Sequence, residues 1–111
     1  MTGTDPEYER LERPAGRTLV VRGELDLATV DGLRHQLDAV IAESHSPAYV
    51  DLSGVTFFDS SSITVLVDAH RSAPAHGSEL VIVSPSPVCR RVFDILGLGD
   101  VLDIRDELPD T

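Results

Sequence analysis

Apolar positions change period several times along the chain. From Thr18 to Val21 they form a β-branched and apolar run that predicts a buried strand. Gly23 to Asp26 leads out of it. Val30, Leu33, Leu37, Val40 and Ile41 then share one helical face, with Asp26 or Thr29 as the cap. Tyr49 to Leu52 is a second apolar run, entered through Pro47, and Gly54 marks its expected end. After Phe57 and Phe58 the spacing turns helical again, with Ile63, Leu66, Val67 and His70 at i, i+3, i+4 and i+7. Pro74 and Gly77 stop that helix, and Leu80 to Val83 is the next strand. Ser84 and Pro85 read as an N-cap and first helical residue. Val88, Val92, Ile95 and Leu96 supply that helix's apolar face, and Gly97 ends it. Tyr8 to Arg13 is a candidate edge strand, and a short strand is expected around Leu102 to Ile104.

This order predicts an α/β fold: a mixed, largely parallel sheet of about four or five strands, flanked by about three helices. The 111 residues fit one domain, 1–111, with a core at about 17–104 and flexible ends at 1–7 and 105–111.

Charge narrows the function. Nine Lys and Arg against nineteen Asp and Glu leave −10, which repels phosphate backbones and argues against nucleic-acid binding. The start, MTGTDPEYER, has no basic stretch followed by an apolar one, so no signal peptide is expected. No run approaches the roughly 20 apolar residues that cross a bilayer, and no membrane partner is expected. Cys89 is the single cysteine and, among Val88, Val92 and Phe93, reads as a buried, inert thiol.

The candidate chemistry lies at Asp59-Ser60-Ser61-Ser62-Ile63. Asp59 and Ser60 sit where an N-cap is wanted, so the serines crowd the positive end of a helix, which suits anions. At about 100° per residue, a core stripe of Ile63, Leu66, Val67 and His70 turns Ser61 outward, in line with Val65, Asp68 and Ser72. Ser60 leans back toward the core and Ser62 lies on the flank, leaving Ser61 as the hydroxyl offered to a partner. Hydrolysis fits poorly. There is no G-x-S-x-G elbow, and His70 lies roughly 15 Å along the axis from Ser61. His35, His45 and His76 fall on a helix and two loops, and no ligand spacing supports a metal or cofactor.

Together with GELDL at Gly23 to Leu27, this stretch resembles the STAS domain family. More narrowly it is similar to the bacterial anti-sigma factor antagonists, whose pattern is GE-hydrophobic-D followed by D-S-[ST]-G-hydrophobic. The likeness runs from about Arg17 to Ile104. It implies a non-enzymatic, cytoplasmic partner switch. The unphosphorylated protein would bind an anti-sigma factor with a GHKL-type serine kinase domain and so free a sigma factor. Phosphorylation of Ser61 by that kinase, using ATP and magnesium, would release the antagonist, and a PP2C-type phosphatase would reset it. Ser62 and Ser60 are the alternative acceptors. Asp26, Asp59, Ser61, Ser62 and Val65 form the expected partner surface. A second reading is an adaptor without a phosphate cycle, binding another assembly such as a transporter ATPase.

Two departures stand out. Ser62 occupies the motif's glycine position and is expected to enlarge the surface a kinase must fit. Family members often carry a further C-terminal helix, whereas RDELPDT is too short and polar for one.

Overall fold

The apolar runs pair into one five-stranded sheet, described by a computed structural model over residues 5–44 and 47–109. Expectations for residues 1–4, for His45 and for residues 110–111 lie outside the described residues. The strands are β1 (Glu7–Arg13), β2 (Gly16–Leu25), β3 (Ala48–Phe58), β4 (Leu80–Val83) and β5 (Asp103–Arg105). The helices are α1 (Val30–Ala42), α2 (Ser60–Ser72) and α3 (Pro87–Leu96), with short 3₁₀ turns at Ala73–His76 and Leu98–Asp100. β1 is antiparallel to β2, and every later pairing is parallel. The expected mixed, largely parallel architecture is the one observed.

Spatial order follows chain order, β1-β2-β3-β4-β5, so successive crossovers step across the sheet in one direction. All three helices accordingly bury their faces in a single core. Leu19, Val21, Val50, Leu52, Leu80 and Ile82 meet Leu33 and Leu37 of α1, Leu66 of α2, and Cys89 and Phe93 of α3. The alternate side chains Tyr49, Val81 and Val83 point to the other face, where Leu108 packs on them. Asp106 is paired with Arg90. Residues 106–109 are irregular chain, and no further helix was expected there.

Both central strands outrun their expected limits. β2 continues through Gly23 to Leu25, and β3 passes through Gly54 to Phe58 instead of ending there. The pairing shows why. Val20 faces Asp51 but Arg22 faces Gly54; Gly23 faces Val55 but Glu24 faces Phe57. β3 carries the extra residue each time, as bulges that bend the strand without ending it. Gly54 is a gap for its neighbour: a Cβ there would lie 2.8 Å from Arg22 Cγ. Gly23 has φ +102°, and a Cβ would meet the Pro6 backbone at 3.2 Å, so this bend requires glycine.

α3 begins two residues later than its Ser-Pro signal suggests, because the dipeptide is repeated. Ser86 caps it, accepting from the Cys89 amide at 3.4 Å, with Pro87 in the first turn. Ser84 instead makes the turn out of β4, with φ +51° and its amide donating to Arg105 O. The later start moves the buried face to Cys89 and Phe93. Val88 and Val92 flank it half-buried, while Ile95 and Leu96 stand exposed. Phe93 meets Phe58 edge-on, ring centres 5.5 Å apart. Burial pushes the Cys89 thiol pKa up, as expected of an inert cysteine.

Candidate functional site

β2 and β3 are parallel, so their C-terminal ends deliver the two motifs to the same edge of the sheet. Leu25 pairs with Phe58, and the Asp59 amide donates to Leu25 O. Asp59 then acts in two directions. Its Oδ1 caps α2, accepting the Ser62 amide at 3.2 Å, the Ser61 hydroxyl at 2.6 Å and the Ser62 hydroxyl at 3.3 Å. Its Oδ2 accepts the Leu27 amide at 3.0 Å, across 32 residues of sequence. One carboxylate thus joins the loop after β2 to the start of α2.

Asp26 organises that loop. Its Oδ1 accepts the Ala28 amide at 3.0 Å, while its own amide donates to Thr29 Oγ1 at 3.0 Å. Thr29 occupies the N-cap position of α1 but makes no side-chain bond to the helix. The expected capping by Asp26 or Thr29 is replaced by a turn closed on itself. Asp26 and Asp59 are consequently held on adjacent segments.

α2 is turned from its expected phase by one residue. Its buried set is Ser62, Val65, Leu66 and Ala69, in place of Ile63, Leu66, Val67 and His70. Two partner-surface expectations fall with that rotation. Val65 is 1% exposed and belongs to the core, and Ser62 is 0% exposed. Polarity hid Ser62 from a reading based on apolar spacing. The Ser62 hydroxyl has Asp59 Oδ1 within reach at 3.3 Å, so its burial costs less than that of a hydroxyl with no acceptor. It also faces inward, so it does not enlarge the surface offered to a kinase. Ser61 lies half-buried and Ser60 is exposed.

The electrostatics are those of an anion held at a helix start. Burial alone would raise the Asp59 pKa, but the hydrogen bonds from Ser61, Ser62 and Leu27 together bring it below the ordinary carboxylate value. Asp59 is therefore a carboxylate at neutral pH, an acceptor that orients Ser61 more than a base that would keep its proton. At the far end of α2, His70 and Arg71 lie in the last turn, where the dipole favours positive charge. No group of three His, Cys, Asp or Glu side chains among the described residues is arranged to hold a metal ion.

A family model described as STAS domain matches residues 6–111. The chain belongs to the STAS domain family. Over 102 residues, 88% of this chain and 87% of the relative, it is 31% identical to the anti-sigma F factor antagonist of Lysinibacillus sphaericus. Among solved structures, an anti-sigma factor antagonist from Mycobacterium paratuberculosis superposes with a TM-score of 0.82 at 22% identity, covering 94% of this chain and 88% of that one. The Bacillus protein SpoIIAA, solved in unphosphorylated and phosphorylated forms, is 25% identical to this chain in both. The unphosphorylated form gives a TM-score of 0.67, covering 91% of this chain and 90% of SpoIIAA.

In this STAS domain, the two motifs form one hydrogen-bonded unit, with Asp59 as the shared member. Two neighbouring residues escaped the sequence reading. Leu27 is 74% exposed beside the Asp59 carboxylate, and Phe57 is 48% exposed at the C-terminal end of β3 before it. The alternation that buries Phe58 puts Phe57 outside, a signal hidden by the bulge that resets the register.

Proposed function

We propose that this STAS domain is an anti-sigma factor antagonist controlled by reversible phosphorylation of Ser61. The observation that carries the reading is the Ser61 hydroxyl held at 2.6 Å by Asp59 at the N-terminus of α2, where both family motifs meet. The named function of the relatives supports it. Asp26, Asp59 and Ser61 form the recognition surface, with Leu27 and Phe57 as apolar contacts. The partner is an anti-sigma factor with a GHKL-type kinase domain, met in the cytoplasm.

In the forward step Ser61 Oγ attacks the γ-phosphorus of ATP bound to that kinase. The bond to the bridging oxygen breaks, ADP leaves, and the Ser61 proton passes to a base of the kinase. In the reverse step a PP2C-type phosphatase directs water at phosphorus, and Ser61 regains its proton. Phosphoserine adds about −1.5 to −2 charge at neutral pH. The helix N-terminus tolerates this locally, but in an interface it must be desolvated, and an uncompensated buried charge costs roughly 3–5 kcal/mol. Release of the partner follows, by about a hundredfold to a few thousandfold in affinity.

Affinity capture from the native cytosol, followed by peptide mass spectrometry, tests partner and phosphosite together. The expected result is an anti-sigma kinase in the unphosphorylated capture, and phosphate on Ser61 that disappears in Ser61→Ala. A transporter ATPase with no phosphoserine would establish the adaptor role instead. Calorimetry with the captured partner supplies a second check, since equal affinities of the two phosphorylation states would exclude switching.

A further inference from the structure

Three donors converge on Asp59 Oδ1: the Ser61 hydroxyl at 2.6 Å, the Ser62 amide at 3.2 Å and the Ser62 hydroxyl at 3.3 Å. A carboxylate oxygen offers about two lone pairs, so three donors cannot all bond it well. The Ser62 amide is fixed by the first turn of α2. The two hydroxyls therefore share what remains, and Ser61 holds the shorter bond. Ser62 is fully buried, and its hydroxyl has no second partner among the described residues.

We propose that Ser62 is a positioning residue for Ser61, whose buried hydroxyl takes over Asp59 Oδ1 whenever the Ser61 hydroxyl leaves it. The inference rests on the reading of Ser61 as the phosphoacceptor and extends it. Ser61 is half-buried and tied to Asp59, so its oxygen must turn away before it can meet a phosphorus atom. With glycine at 62, that movement would leave Oδ1 with an amide alone and loosen the cap. Here the second hydroxyl closes on Oδ1 and α2 stays capped. Esterification makes the exchange lasting, because Ser61 Oγ trades its hydrogen for phosphorus and can no longer donate. Ser62 then keeps the Asp59 carboxylate satisfied beside the new dianion, and Oδ2 keeps its bond to Leu27.

The test needs no kinase. Four full-length proteins are prepared: wild type and Ser62→Ala, each with either serine or genetically encoded phosphoserine at position 61. Any purely structural cost of Ser62→Ala appears in both phosphorylation states and cancels in this cycle. Phosphoserine is expected to lower the melting temperature further in Ser62→Ala than in wild type, by roughly 3–8 °C, the worth of one hydrogen bond in a domain of this size. Equal falls in the two backgrounds would overturn the proposal. If Ser62→Ala does not fold, Ser62→Cys keeps a weaker donor on a somewhat larger side chain and is expected to show a smaller excess in the same direction.

A second measurement involves no phosphate. Carbon-13 NMR titration of the Asp59 carboxyl is expected to give a higher midpoint in Ser62→Ala than in wild type, because a donor to the ionised form is lost. Ser61→Ala should raise the midpoint more strongly in the Ser62→Ala background, where no hydroxyl is left to compensate. Strictly additive midpoints would sink the takeover even if Ser61 carries phosphate in the cell. Conversely, absence of phosphate from Ser61 in captured protein defeats the functional reading and leaves the exchange between hydroxyls standing.

Discussion

α1 and α2 are each thirteen residues long and bury one face against the same side of the sheet, yet only one of them has a phase legible in its apolar residues. α1 buries Leu33, Leu37, Val40 and Ile41, the branched side chains its spacing selects. α2 buries Ser62, Val65, Leu66 and Ala69, which is the i, i+3, i+4, i+7 stripe expected from Ile63 moved back by one residue. In α1 the stripe is continuous and bulky, so burial of apolar area fixes the rotation at about 25 cal/mol per Å². In α2 apolar residues lie on more than one side: Ile63 and Val67 flank Val65 and Leu66. What decides between neighbouring phases is the cap. Asp59 binds both the Ser62 amide and hydroxyl, placing that serine inside, and the rest of the helix follows.

The sharpest way to break this comparison is a charge at Val65. This residue is 1% exposed and lines the seam between the helices with Leu37 of α1. Val65→Asp puts an uncompensated carboxylate there and should cost about 3–5 kcal/mol, a large share of a typical domain's 5–15. Thr64→Asp, one position away on the exposed side, should change stability by no more than about 0.5 kcal/mol. Urea unfolding of both proteins reads the rotation directly. A Val65→Asp protein as stable as Thr64→Asp would put the stripe back on Ile63 and Val67.

The two helix starts offer the next contrast. Asp59 caps α2, whereas Thr29 makes no side-chain bond to α1. Asp59→Ala loses the cap and the tie to Leu27 and should cost about 1–2 kcal/mol. Thr29→Ala loses the acceptor for the Asp26 amide and the hydroxyl's own donation back to Asp26 O at 3.2 Å, at about 0.5–1 kcal/mol in this partly exposed turn. The Asp59 loss should also depend on pH, with a definite sign. The hydrogen bonds lower its folded-state pKa against the opposing effect of burial, so the native state binds that proton more weakly than the unfolded chain. Its contribution is present above the unfolded carboxylate value and disappears as pH falls through the folded one. Chemical denaturation of wild type and Asp59→Ala should show a constant gap from about pH 5 to 7 that closes below about pH 4. A gap that widens in acid would mean that the carboxyl is held protonated, contrary to this network.

These contrasts show what was legible in the residues. The sheet could be read because Leu19, Val21, Val50, Leu52, Leu80 and Ile82 belong to short β-branched runs with clear boundaries, and chain order then leaves few topologies. Gly54 misled because a glycine that makes room for Arg22 looks, in one dimension, like one that ends a strand. Ser84-Pro85 misled because the same dipeptide follows at Ser86-Pro87, and only tertiary bonding chooses between them. At the site, Asp59 and Ser61 were visible as residue types at a helix start. The orientation of Ser62 was not, since it depends on which oxygen of Asp59 faces the loop after β2, and that loop lies 32 residues away.

The smallest expected effect lies on the rim between the same two helices, where Arg34 Nη1 of α1 meets Asp68 Oδ2 of α2 at 3.2 Å. Both side chains are nearly half exposed, at 46% and 48%. Water screens the attraction, and holding two long side chains in register costs rotamer freedom. The pair should therefore contribute well under about 1 kcal/mol. A double-mutant cycle over Arg34→Ala, Asp68→Ala and the combined variant isolates its coupling, and repeating it at about 1 M salt, where the screening length falls to about 3 Å, should reduce the coupling toward zero. That outcome would place the joining of α1 to α2 on Leu37, Val65 and Ala69, with the ion pair marginal. A coupling above about 1.5 kcal/mol that persists in salt would instead make the charged rim a partner of the Asp59 cap in setting the rotation of α2.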